Sequence, residues 1–200
     1  MILFDKLIVR NFGSFGNAPT VVDLNVGMAL VQGRNGTGKS TIVTDSLTYV
    51  LYGKPFKKIN LPQLVNNMNG ANMEVQLEFR ASDSKTEYKI IRGMKPNRFE
   101  IYKNGELIPQ EASVRDYQAI LERDIIKVSY RAFMQILVMG SAQYTPFMQL
   151  STGQRRLFID ELLNTKIIAT MSDLSKSKLS EVERTISLLE TKITALKNET

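Results

Sequence analysis

The residues Gly33-Arg34-Asn35-Gly36-Thr37-Gly38-Lys39-Ser40 have the order GxxxxGK[ST], which suits one kind of chemistry. Glycines at those positions let the backbone curl until several amide N–H groups point at one anion. Lys39 adds a compact positive charge placed to reach β- and γ-phosphates, and Ser40 offers a hydroxyl to Mg²⁺. The pattern therefore predicts binding of a nucleoside triphosphate with magnesium. An ordinary glycine-rich turn is the competing reading, and the surroundings argue against it. Met28-Ala29-Leu30-Val31, just upstream, reads as a buried strand. Thr41 to Leu51, downstream, reads as a helix whose N-terminal dipole favours the same anion.

Hydrolysis asks for more than binding. A carboxylate on a neighbouring strand tip must hold magnesium, and another group must polarise the attacking water. Leu157-Phe158-Ile159-Asp160-Glu161 resembles such a strand, and Leu150-Ser151-Thr152-Gly153-Gln154 resembles the LSGGQ signature of ABC-type ATPases. The two are nearly contiguous, whereas a signature loop must lead through a whole helix before the acidic strand begins. Residues 155–163 also have helical spacing, so Asp160 and Glu161 are expected as helix carboxylates. Catalytic carboxylates are not found in this sequence.

The elements that must position the loop can be read around it. Ile2, Phe4 and Leu7 through Val9 alternate like a strand, and Val21 to Leu24 forms a second candidate. Gly53 and Pro55 stop the helix after the loop. Residues 54–72 are loop-like and rich in Asn, with a basic patch of Lys54, Lys57 and Lys58. Met73–Phe79, Glu87–Arg92 and Phe99–Tyr102 alternate, and Asn104-Gly105 is a hairpin signal. These predict an antiparallel sheet distinct from the strand–loop–helix unit. Helices are expected from Ser113 and over Ser129 to Leu137, and Ser151 is a candidate cap for a long final helix. In that helix Leu179, Val182, Ile186, Leu189, Ile193 and Leu196 step by threes and fours, the seam of a coiled coil.

Bulk properties set wider limits. Two hundred residues with 43% hydrophobic content can bury one or two cores. No run approaches the roughly 20 apolar residues of a membrane helix, and the start lacks the order of a signal peptide. The absence of Cys and His excludes disulfides and the usual zinc ligands, and a cytoplasmic location is the default expectation. A net charge of +6 suits a polyanionic partner such as nucleic acid, and equally a surface with a small excess of Lys.

Several ordered motifs together carry a family resemblance. LIVRNFGSF, GRNGTGKST, LYGKPF, SYRAFMQILVMGSAQYTPFM and RRLFIDELL resemble the N-terminal half of SMC-like, ABC-type ATPases of the DNA double-strand-break repair class. That class includes bacterial SbcC and the ATPase subunit of the T-even phage recombination endonuclease. The resemblance implies an α/β P-loop NTPase head: an N-terminal lobe over residues 1–163 with an antiparallel β subdomain, and a coiled-coil arm starting over 164–200. It implies that a C-terminal lobe brings signature and acidic strand, and that two heads sandwich two ATP molecules. It further implies DNA and a metal-dependent nuclease subunit as partners, with no membrane.

By the same likeness Asn35, Gly36, Thr37, Gly38, Lys39, Ser40 and Thr41 meet phosphates and magnesium. Arg10 and Asn11 lie on a loop approaching the nucleotide, and Lys58 and its neighbours lie beside the base. Two departures stand out. Many relatives have Arg where this chain has Gly13, so one phosphate contact is either absent or supplied by Arg10. The Gln that contacts magnesium and water in relatives aligns with Ser141, with Gln143 two residues later, and a plain surface glutamine is an equal reading. An ABC-transporter nucleotide-binding domain and a coiled-coil tether with a vestigial site are the other readings of the sequence.

Overall fold

A computed structural model describes residues 2–57, 59–81, 86–110, 114–137, 145–163 and 166–198. The chain forms two compact units, Met1–Tyr130 and Arg131–Thr200.

The first unit is built on one six-stranded antiparallel sheet. Its strands are β1 (Ile2–Arg10), β2 (Thr20–Asp23), β3 (Met73–Ala81), β4 (Thr86–Met94), β5 (Arg98–Lys103) and β6 (Glu106–Leu107), in the order β2-β1-β3-β4-β5-β6. The alternation in β1 changes phase because Asp5 is an extra residue: Phe4 faces Phe79, and Lys6 faces Glu78. Such a bulge shifts every later side chain to the opposite face. Leu7 and Val9 then fall in register with Leu77 and Val75, and all four are fully buried. The expected separation between the 73–102 sheet and the opening strands is therefore corrected. One apolar face runs continuously from β1 through β3 to Ile90 and Ile101.

The helix after the glycine loop packs on β3 and β4 of that face. It opens with a π-type turn, Thr41–Asp45, and continues as α1, Ser46–Tyr52. In the π-type turn the Ser46 amide donates to Thr41 O, and the buried Ser46 hydroxyl takes up the Ile42 carbonyl. Thr48, also buried, donates its hydroxyl to Thr44 O at 2.9 Å. Gly53 ends α1 in the left-handed region, as its place in the sequence predicts.

Arg92, in β4, anchors the far end of this helix. Its Nε donates to Val50 O at 3.2 Å and its Nη2 to Gln118 Oε1 at 2.5 Å, while Gln118 Nε2 donates to Leu51 O. The guanidinium also lies 3.8 Å from the centre of the Phe99 ring. Burial pulls its pKa down to about 10, which leaves the charge in place at neutral pH, facing the negative end of the helix. Gln118 belongs to α2 (Val114–Ile120), whose Tyr117 hydroxyl accepts from the Ile101 amide and donates to Ile108 O.

A second expectation is corrected upstream of the loop. Met28 to Val31 form no strand, and Met28 and Leu30 are 95% and 80% exposed. A strand needs a neighbour for its backbone groups, and none of the described strands pairs with this run.

In the second unit lie α3 (Tyr130–Leu137, whose first residue closes the first unit), α4 (Thr152–Leu162) and α5 (Lys166–Asn198). Ser151 caps α4 as predicted: the Gln154 amide donates to Ser151 Oγ, and the Ser151 amide to Gln154 Oε1. The single long helix expected from Ser151 is two helices. Asn164 and Thr165, between them, lie outside the described residues. Residues 157–161 are helical in α4, so Asp160 and Glu161 do not end a strand. Along α5 the seam residues Leu179, Val182, Ile186, Leu189 and Ile193 are all exposed.

Candidate nucleotide site

The glycine loop folds back on itself around Lys39. Its Nζ donates to Gly33 O at 2.6 Å and to Arg34 O at 2.8 Å, and Thr37 Oγ1 donates to Arg34 O at 2.8 Å. Gly36 and Gly38 have φ of +85° and +94°, a region that disfavours residues with a β-carbon. At Gly38 a β-carbon would also run into Ser14 Oγ and the Phe15 ring. The required glycine thus has two causes, backbone conformation and a neighbouring loop.

That neighbouring loop is residues 11–16. Ser14 Oγ donates to Thr37 O at 3.2 Å, which places it against the phosphate loop. Buried Phe12 packs near the Tyr49 ring, with centroids 5.8 Å apart. The Gly13 amide donates to Leu64 O, and Asn66 Nδ2 donates to Gly13 O. Asn11 is buried and turns its side chain to the 66–72 segment, accepting from Asn69 Nδ2 and donating to Asn72 O.

Asn35, Gly36, Gly38, Lys39, Ser40 and Thr41 line one cleft of about 390 Å³. Ser14 and Lys57 complete its wall. The other expected residues are placed differently. Arg10 donates three hydrogen bonds to Asn17, between 2.7 and 3.0 Å, and lines a separate hollow with Glu74 and Arg98. Asn11 does not line the cleft. Lys58, Ser141 and Gln143 lie outside the described residues. Ser14 carries no motif of its own, and only its position in LIVRNFGSF could have pointed to it.

The cleft suits a magnesium-bound polyphosphate. It combines a curled glycine backbone, an ammonium held over it and an adjacent serine hydroxyl at the start of a helix. A larger concavity of about 710 Å³ lies on the sheet around Arg80, Tyr88 and Tyr102. Its two basic residues are each paired with a carboxylate, Arg80 with Asp5 and Lys89 with Glu78.

A P-loop on an α/β scaffold with one antiparallel sheet defines a nucleotide-binding head of the P-loop class. The chain belongs to the AAA domain family AAA_23, whose model matches residues 6–200. It is 40% identical over 189 residues to exonuclease subunit 2 of Escherichia phage RB69, covering 94% of this chain and 33% of that protein. It is also 40% identical over 174 residues to exonuclease subunit 2 of Enterobacteria phage T4, covering 86% of this chain and 30% of that protein. The chain thus spans about a third of the length of these relatives. Its fold matches the Smc head domain with an extended coiled coil from Pyrococcus furiosus, solved bound to the C-terminal domain of ScpA. The TM-score is 0.68 at 18% identity, over 99% of this chain and 51% of that one. Among the described residues no helix is long and apolar enough to cross a membrane.

Proposed function

We propose that this chain is the ATP-binding lobe of an SMC-like ATPase subunit in a DNA-end-processing nuclease complex. Residues 1–163 form the N-terminal lobe of the head, and 164–200 begin its coiled-coil arm. The observation that carries the reading is the cleft around Lys39, set beside the likeness to two phage exonuclease subunits. Lys39 and the loop amides bind the phosphates, and Ser40 holds magnesium, which supplies charge neutralisation when bound. The acidic strand and signature loop come from a C-terminal lobe, whose strands pair with the apolar run Met28–Val31. A second ATPase subunit closes the site, and nucleotide turnover controls the access of DNA to a metal-dependent nuclease partner. Gln143 is the candidate to orient the attacking water, and the place of work is the cytoplasm, that of the host if the chain is phage-encoded.

Titration with a fluorescent ATP analogue in the presence of magnesium tests the binding step. Wild-type chain is expected to bind and Lys39→Ala to lose about 10- to 100-fold in affinity, the worth of a charge-assisted contact. Equal binding by the two would remove the phosphate loop from the account. Absence of binding by wild type, even with a C-terminal lobe present, would favour a coiled-coil tether.

A further inference from the structure

Beside Lys39, the cleft holds a second cation that no motif identifies. Lys57 comes from the loop after α1. Its Nζ lies 3.2 Å from Thr41 Oγ1, two residues beyond Lys39, and 3.2 Å from Asp45 Oδ2. Asp45 is 1% exposed, sits at the end of the π-type turn, and also accepts from the Lys57 amide. A buried carboxylate that grips both the backbone and the ammonium of one residue fixes where that ammonium stands. Two of the three N–H bonds of Lys57 are then taken, one by Asp45 and one by Thr41, and one is left at the cleft wall.

Among the described residues, two nearby positions do not take this role. Residue 13 is glycine, with the Thr41 methyl packed 2.9 Å from where its β-carbon would be. Arg10 is committed to Asn17. Magnesium and Lys39 neutralise only part of a triphosphate's charge, so a further cation beside Thr41 has a task.

We infer that Lys57 is a second phosphate-binding residue of the cleft, with Asp45 as its positioning residue. The inference rests on the nucleotide reading of the Lys39 loop. A structural ion pair that merely ties residues 54–57 to the helix is the competing account, and affinity separates the two. Lys57→Ala alone leaves Asp45 buried without its partner and can unfold the chain. The decisive variant is therefore Asp45→Asn with Lys57→Met, which removes both charges at nearly constant volume.

Binding of the fluorescent ATP analogue with magnesium, competed by ATP and by magnesium tripolyphosphate, is measured alongside thermal melting. The double variant is expected to melt near wild type and to bind both competitors about tenfold more weakly. Lys57→Arg is expected to keep most of the affinity. Wild-type affinity in a folded double variant would overturn the inference, as would weakening toward ATP with none toward tripolyphosphate. Lys39→Ala run in parallel keeps the two claims apart. If it binds like wild type, the nucleotide reading itself has failed; if it alone loses binding, only the role of Lys57 has.

Discussion

At Gly13 the backbone sits at φ +56°, and the Thr41 methyl occupies the space a β-carbon would need. That single position couples the 11–16 loop to the first turn after Lys39. Gly13→Ala is expected to cost about 1–3 kcal/mol in a denaturant titration, from backbone strain and the enforced shift of Thr41. Gly16 has nothing within 4 Å of its β-position, so Gly16→Ala is the matched control, with little change expected. Equal losses at the two sites would show that the close approach at Thr41 carries no energy. The phosphate loop was readable outright because its chemistry demands fixed residue types at fixed spacing. Ser14, Asp45 and Lys57 were not readable as a group, because they meet through three segments that only the folded sheet and helix bring together. Asn11 shows the complementary case: its amide looks free in sequence and is taken up by Asn69 and Asn72 of a distant segment.

Among the elements, the helix after the loop shows how local chemistry supports an irregular turn. The π-type turn frees the Ile42 carbonyl from its usual amide, and the buried Ser46 hydroxyl replaces it. Ser46→Ala is expected to destabilise by about 1–3 kcal/mol, the cost of leaving a buried carbonyl unpaired. An unchanged midpoint in urea would mean that water or a regular helical turn takes over. The sheet was legible strand by strand, since β3 follows a strict two-residue period, β4 and β5 follow it in part (Ile90 and Ile91 are both buried), and Asn104-Gly105 ends β5. Its extent was not, because the bulge at Asp5 reverses the phase of β1 and hides its register with β3. Met28–Val31 failed for a different reason. Apolar character marks a strand to be buried, but burial needs a partner, which the described strands do not supply.

For the whole molecule, two apolar features point outward: the Met28–Val31 run and the α5 seam from Leu179 to Ile193. On the proposed reading, both features are surfaces for a C-terminal lobe and a second coil strand. Leu30 is 80% exposed, so Leu30→Asp is expected to leave the chain's own melting temperature within about 2 °C. The same substitution is expected to abolish co-purification with a C-terminal head segment, and unaltered co-purification would place that segment elsewhere. The central claim is that Lys39 and Ser40 belong to half of a composite site. Steady-state ATP hydrolysis tests it most directly. It is measured for this chain alone and with the C-terminal segment of a full-length relative such as phage RB69 exonuclease subunit 2. The account predicts negligible turnover by the chain alone and turnover on addition of the segment, lost again in Lys39→Ala. Turnover by the purified chain alone, abolished by Lys39→Ala, would contradict it.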